Sequence, residues 1–382
     1  MGRIIKALRY TASGFWVKVR GWIEGQSAAA GAASGAARPG LVRLGIARNV
    51  RIAGARPGFR FFSTKLHETP PQVHSGRPEL QRAAPPVTII AMKGIIVAAG
   101  YGTRFLPVTK TIPKEMLPIG VTPSIAYIAK EFVDSGITDI IVISSRRKKA
   151  LEDYFDREIE LEELFMREGR EDRLEKIRPF PARISFVRQA EMKGTGHALM
   201  QVSHLLGGEP CIVAYPDDIV IGTVPLARQL MSVYEQTGKC VLATIYEPGD
   251  VSRYGVIDPA PDGVSVRGFV EKPAAGSEPS HEVSIGRFLY TPEFFGWLAQ
   301  GWEHHGSGEY YHVYALNKMI EKGKVAYARV DGTRLDTGEL GGFFEAQLYN
   351  AMQEPALKLV LARFVAEHGA ELGLGGSRPD RK

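Results

Sequence analysis

One stretch of the chain limits the fold more than any other. The apolar run Gly94-Ile95-Ile96-Val97-Ala98 opens directly into the small-residue loop Ala99-Gly100-Tyr101-Gly102-Thr103-Arg104. A strand with no polar position has no face to give to water, so it belongs in a parallel sheet covered on both sides. A loop of glycines and alanines leaving such a strand can bring its backbone close to a ligand and turn N–H groups toward phosphate oxygens. The glycines alone would equally serve a tight strand-to-loop turn. They do not complete the dinucleotide fingerprint G-x-G-x-x-G, because Phe105 stands where the third glycine would, and no G-x-x-x-x-G-K pattern appears. The cations favour phosphate: Arg104 sits in the loop, and Lys110 and Lys114 follow it. A guanidinium offers a planar fork to phosphate oxygens, and an ammonium a point charge.

The same alternation continues along the chain. Strand-like runs occur at 139–143, 184–187, 211–215, 241–246, 264–271, 283–290 and 325–330, and helical patterns lie at 124–135, 196–206, 225–236, 292–300, 309–322 and from 340. This predicts an α/β fold, with a mixed, mostly parallel central sheet and helices on both faces. The charge-rich segment 148–173 reads as a helical excursion with solvated faces. Residues 92–354 are expected to form one domain, and 355–382 a C-terminal helix and a Gly-rich tail that frays. Cys211 and Cys240, the only cysteines, lie in apolar strand-like runs. They read as two buried free thiols in a reducing cytosol rather than as disulfide or zinc ligands. No run of about 18 apolar residues is present, so no membrane span is expected.

Residues 1–91 differ in kind. They hold fourteen Lys or Arg against Glu24, Glu68 and Glu79, so they carry +11 of a whole-chain charge of +6 and leave −5 for the rest. A nucleic-acid or membrane partner, which the overall basic charge would suggest, is therefore not expected of the globular part. The extension reads as a basic, disordered or non-native segment. An organellar transit peptide, a polyanion-binding tail and a translation start at Met92 all fit it, the last being favoured because Met92-Lys93-Gly94 opens into the first buried strand. A cytoplasmic protein is expected, with organellar import the alternative if the extension is a genuine transit segment.

Three motifs in order carry a resemblance. Val97-Ala98-Ala99-Gly100-Tyr101-Gly102-Thr103-Arg104, then Leu106-Pro107-Val108-Thr109-Lys110, then Ile112-Pro113-Lys114-Glu115-Met116-Leu117-Pro118 resemble the signature of the bacterial UTP–glucose-1-phosphate uridylyltransferases, within the sugar nucleotidyltransferases. Similarity recurs from about Lys93 to Asn350 in Val187-Arg188-Gln189, Gly194-Thr195-Gly196-His197-Ala198, Pro216-Asp217-Asp218, Tyr254-Gly255-Val256-Ile257, Val270-Glu271-Lys272-Pro273 and Gly286-Arg287. The resemblance implies a Rossmann-like fold of the nucleotide-diphospho-sugar transferase type, UTP and a sugar 1-phosphate as substrates, magnesium as cofactor, and a homo-oligomer. It implies that Arg104 and Lys114 hold the triphosphate, with Ala98, Ala99, Gly100, Gly102 and Thr103 forming the nucleotide loop. Gln189 and the backbone of Gly194 would meet the pyrimidine edge. Asp217 and Asp336, the latter in Leu335-Asp336-Thr337-Gly338, would hold magnesium. Gly255, Glu271, Gly286 and Arg287 would line the sugar pocket, and Lys272 would contact the sugar phosphate.

Such chemistry needs no general base, because the attacking phosphate is already anionic. The obstacle is repulsion between two polyanions, so positioning and electrostatic stabilisation should do the catalysis. Each residue also has a plainer reading. Asp217-Asp218 could be an ordinary turn, with Asp218 capping it; Glu271-Lys272 an exposed ion pair of little worth; Leu335–Gly338 a common short turn. His197 reads as a structural helix residue, and His304, His305 and His312 form no convincing metal set. One departure stands out: where the family reads G-E-I-Q-L-T-D-A, this chain has Gly308-Glu309-Tyr310-Tyr311-His312-Val313-Tyr314-Ala315. Glucose remains the expected sugar from the resemblance, and the departure makes another sugar 1-phosphate or dTTP the alternative. A non-catalytic nucleotide-sugar-binding regulator is the alternative of another class.

Overall fold

The structure, a computed structural model, describes residues 92–373. The readings of residues 1–91 and of the tail beyond 373 lie outside the described residues.

Strand β1 (Lys93–Val97) is where the sequence predicts it. Neighbouring side chains of a strand leave on opposite faces. Ile96 packs with Phe132, Ile212 and Leu230 in one core cluster, while Ile95 packs with Leu199, Val213 and Phe294 in another. Both isoleucines are fully buried, so the sheet has a hydrophobic core on each side.

A short hairpin, β2 (Pro118–Ile119) and β3 (Thr122–Pro123), leads into α1 (Ser124–Asp134) and β4 (Asp139–Ser144). Ile125, Ile128, Ala129 and Phe132 give α1 an inward stripe at helical spacing, and Gly136, at φ 87°, supplies the left-handed turn that ends it. The charged excursion is three separate helices, α2 (Lys149–Phe155), α3 (Ile159–Glu168) and α4 (Glu171–Leu174), before β5 (Arg183–Arg188). Then follow α5 (Thr195–Met200), β6 (Cys211–Ala214), β7 (Asp218–Ile221), α6 (Leu226–Thr237) and β8 (Cys240–Tyr246). The remainder comprises β9 (Gly255–Pro259), β10 (Val266–Glu271), β11 (Glu282–Tyr290), α7 (Pro292–Glu303) and α8 (Val313–Glu321). It ends with β12 (Val325–Arg329), β13 (Thr333–Asp336), α9 (Leu340–Gln353) and α10 (Pro355–His368).

The main sheet runs in the order β10-β9-β11-β6-β1-β4-β5, with β8 also on β11 and β12 beyond β8. From β6 to β5 it is parallel. The half around β11 is antiparallel, apart from the β8–β12 pair. Strands β7 and β13 form a separate antiparallel pair with Asp218 opposite Asp336. The carboxyl ends of β1, β6 and β5 therefore share one edge, where ligands of open α/β sheets bind.

The helix expected over 309–322 begins only at Val313. Its first part is held otherwise: the Tyr310 N–H bonds Lys193 O at 2.7 Å and the Tyr310 carbonyl accepts from Gly196 N–H at 2.8 Å. Those groups are therefore not free for a helical ladder. Cys211 and Cys240 are free and buried, and burial pushes both thiols up. Among the described residues no helix is long and apolar enough to cross a membrane.

Candidate active site

The loop after β1 is shaped by close approach. Gly102 is left-handed, at φ 68°, and its carbonyl accepts from the Thr109 hydroxyl at 2.7 Å. A Cβ at Gly102 would lie 3.2 Å from Lys114 Cβ and 3.3 Å from Thr109 Cγ2. A side chain there is excluded by both backbone and space. Ala98 and Ala99 are buried beneath the loop, whereas Gly100, Thr103 and Arg104 are exposed. Arg104 reaches across to Gly338, donating from Nη1 to its carbonyl at 3.4 Å. Lys114 points the same way and pairs with Asp217, Nζ to Oδ2 at 2.5 Å.

Asp217 follows β6, and Asp336 ends β13. Thr337 ties the two segments together, its N–H and hydroxyl donating to Asp217 O at 2.7 and 3.0 Å. The point of convergence is Gly338. A Cβ there would stand 3.2 Å from Asp336 Oδ1, 3.3 Å from Asp217 Oδ2 and 3.7 Å from Arg104 Nη1. Both carboxylates and the loop arginine thus surround one small space that only glycine leaves open. Partial burial alone would raise the Asp217 carboxyl, but Lys114 overrides this and holds it below the usual range. Arg334 braces the other carboxylate, donating to Asp336 Oδ2 at 3.2 Å and to Asp218 Oδ1 at 2.5 Å. Among the described residues no group of three or more His, Cys, Asp or Glu could hold a metal ion by itself. Two carboxylates on one space do fit a hard divalent cation whose other ligands are phosphate oxygens and water.

Gln189 and Gly194 lie together at the end of β5. Gln189 is 3% exposed, and its Nε2 donates to Gly194 O at 3.1 Å and lies 3.1 Å from His197 Nδ1. Gly194, at φ 92°, presses on the backbone of Tyr310, whose carbonyl oxygen lies 2.5 Å from where a Cβ would be. His197 packs on Trp302 with ring centroids 5.1 Å apart, and burial lowers its pKa. It is a packing residue, in line with its structural reading.

On the antiparallel side, Gly255 faces Glu271 across β9 and β10, and a Cβ on Gly255 would stand 3.0 Å from Glu271 Oε2. Glu271 is exposed at the end of β10, but desolvation by the surrounding chain raises its carboxyl, against the opposing pull of Lys272. Lys272 is the one non-glycine residue with positive φ among the described residues, at 49°. Its N–H is held by Tyr254 O at 2.9 Å. Such backbone strain clusters at functional sites.

Two sequence expectations need correction. Arg287 does not line the sugar pocket: it is fully buried and forks onto Glu131, Nε to Oε1 at 3.0 Å and Nη2 to Oε2 at 2.9 Å. The physical reason is strand alternation. Gly286 faces Tyr215 and Asp218 toward the site, so its neighbour enters the core. Asp218 is not a turn cap; it bridges β11 and β13 by accepting from Gly286 N–H at 2.8 Å and from Arg334. Sequence reasoning also missed Gly338, Arg334 and Glu131. Gly338 was visible in the Asp-Thr-Gly turn, and Glu131 as a carboxylate on the buried stripe of α1. Within the departing motif, Tyr314 packs over Gly301 of α7, while Tyr311 is 45% exposed and donates to Glu309.

The family model described as nucleotidyl transferase matches residues 93–353. A UTP–glucose-1-phosphate uridylyltransferase of Staphylococcus epidermidis is 43% identical over 281 residues, which is 72% of this chain and 97% of that protein. Among solved structures, the UTP-bound enzyme of the same activity from Acinetobacter baumannii superposes with a TM-score of 0.66 at 28% identity, over 73% of this chain and 99% of that one. A UDP-glucose pyrophosphorylase complexed with UDP-glucose gives 0.60 at 33% identity, over 69% and 100%.

Proposed function

The chain belongs to the nucleotidyl transferase family, and we infer that it is an enzyme transferring the uridylyl group of UTP to glucose 1-phosphate. The products are UDP-glucose and pyrophosphate. The carrying observation is the convergence of Arg104, Lys114, Asp217 and Asp336 on the space kept open by Gly338. That combination of cations and carboxylates suits a triphosphate with its counter-ion.

In this reading a glucose 1-phosphate oxygen attacks the α-phosphorus, the new O–P bond forms, and the bond to the β-phosphate oxygen breaks with its electrons leaving on pyrophosphate. Backbone from Ala98 to Thr103 cradles the phosphates, while Arg104 and Lys114 neutralise charge that gathers on the departing oxygens. Gln189 and Gly194 are assigned to the pyrimidine edge. Gly255, Glu271 and Gly286 are assigned to the sugar, with the Glu271 carboxylate accepting from hydroxyls. Lys272, locked by its backbone, is assigned to the sugar phosphate. Asp217 and Asp336 would hold magnesium, which supplies Lewis-acid neutralisation of the phosphates when bound.

The test is pyrophosphate release by the purified protein with magnesium, each nucleoside triphosphate and a panel of sugar 1-phosphates. UTP with glucose 1-phosphate should be the preferred pair; turnover with dTTP and none with UTP would reverse the assignment. Lys114→Ala and Asp217→Ala should each lower kcat by about 10²–10³-fold, the scale of losing one preorganised charge-stabilising group.

A homo-oligomer is supported by α10. None of its residues is buried, and Leu357, Leu359, Val360, Phe364 and Val365 are all at least 38% exposed. A 14-residue helix with α9 as its main packing partner needs more apolar contact than that. Pairing with a second copy would cover the stripe.

A further inference from the structure

Lys114 lies on a single 3₁₀ turn, Lys114–Met116, which two backbone bonds close: Met116 N–H to Pro113 O at 2.9 Å and Leu117 N–H to Lys114 O at 3.1 Å. So short a turn does not fix the direction of its own side chains. Its neighbour Glu115 points away from the site, is 1% exposed, and accepts from Lys148 Nζ at 2.7 Å with each carboxylate oxygen. Ser124 Oγ holds the Glu115 carbonyl at 3.1 Å. Lys148, 4% exposed, closes the turn after β4 by donating its N–H to Ser145 O at 3.0 Å. β4 lies in register beside β1, Ile143 opposite Val97. A continuous path thus runs from the central sheet through Lys148 and Glu115 to the turn that carries Lys114.

A buried ion pair is often matched or bettered by apolar residues of the same volume, so stability alone does not call for one here. What the pair supplies is direction. With Glu115 clamped on one side of the turn, Lys114 is left on the other, where Gly102 packs against its stem and Asp217 meets its ammonium. The Lys148 charge is cancelled locally by Glu115, so the turn presents one net cation to the phosphates, that of Lys114.

We propose that Glu115 and Lys148 are positioning residues that aim Lys114 at the triphosphate. The inference rests on the reading of Lys114 given above. The test compares four proteins: wild type, Lys114→Ala, the double variant Glu115→Leu with Lys148→Met, and the triple variant. The double variant leaves no lone buried charge and keeps a similar volume. It should keep the wild-type Tm and circular dichroism but lose roughly 10–100-fold in kcat, the scale of a displacement of about 1 Å. Its KM for glucose 1-phosphate should not move, and in the Lys114→Ala background the same change should cost nothing further. Lys148→Arg, which keeps a donor for Glu115, should retain most of the kcat. Wild-type kcat in the double variant, an equal loss in both backgrounds, a loss matching the unfolded fraction, or a Lys148→Arg protein as slow as the double variant would each overturn the proposal. Wild-type turnover in Lys114→Ala alone would instead overturn the reading of Lys114.

Discussion

Replacing Arg287 by methionine separates a core role from a sugar-binding one. The guanidinium makes four hydrogen bonds: two to Glu131, one to Gly286 O at 3.0 Å and one to Asp218 O at 3.0 Å. Arg287 is fully buried and the Glu131 side chain is 7% exposed. Without Arg287, the Glu131 carboxylate keeps one donor, Ala227 N–H at 3.0 Å. Removing one partner of a buried pair costs about 3–5 kcal/mol, mostly from the charge left behind. In a domain of this size each kcal/mol moves Tm by roughly 2–4 °C, so Arg287→Met should melt on the order of 10 °C lower. Glu131→Leu combined with Arg287→Met removes both charges and should recover much of that loss. The assay is calorimetric melting beside steady-state kinetics at a temperature where every variant is folded. The expected result is a lowered Tm with KM for glucose 1-phosphate unchanged. An unchanged Tm with a raised sugar KM would refute the reasoning and return Arg287 to the pocket.

Gly338→Ala should fold as well as wild type, because its φ is not left-handed, yet lose about 10–100-fold in kcat as its methyl pushes the carboxylates aside; unimpaired turnover would show that the convergence point is not used. The Glu271 carboxyl is raised by partial desolvation, so it protonates at a higher pH than an ordinary glutamate. KM for glucose 1-phosphate should therefore climb as pH falls through that raised value, relative to Glu271→Gln, while KM for UTP follows the same course in both proteins. Leu359→Glu with Phe364→Glu should yield monomers in light scattering without lowering the helical content, if a second copy covers α10.

How far the sequence could be read depended on how local each signal was. Strand β1, the β4 and β6 runs and α1 were legible because burial on both faces or on a helical stripe is written in the order of apolar residues. The hairpin β2–β3, and strands β7 and β13, were not. Asp218–Ile221 and Thr333–Asp336 are four-residue strands that exist because they pair with each other, more than a hundred residues apart. Among the site residues, the loop from Gly100 to Lys114 and the Asp217 and Asp336 positions follow from motif and resemblance. Arg287 misled because a motif position says nothing of which face of the strand it occupies. Arg334 carries no local signal, since its work is to link two carboxylates that meet only in the folded sheet.

The contact between Tyr310–Tyr311 and the turn at Lys193–Gly196 is made mostly by main-chain atoms: the Tyr310 N–H, the carbonyls of Tyr310 and Tyr311, and the bare Cα of each glycine, with the edge of the Tyr310 ring against Gly196. Peptide groups are common to every residue except proline at the N–H. The junction is intolerant of any side chain at 194 or 196; Tyr311, 45% exposed, is free to vary, whereas Tyr310 is buried and donates its hydroxyl to Leu298 O at 2.6 Å. Variation in this protein is channelled accordingly. Between Glu309 and Tyr314 the exposed positions, Glu309 and Tyr311, can change their chemistry while the turn beside Gln189 keeps its shape, whereas Tyr310 and His312 are held in the interior.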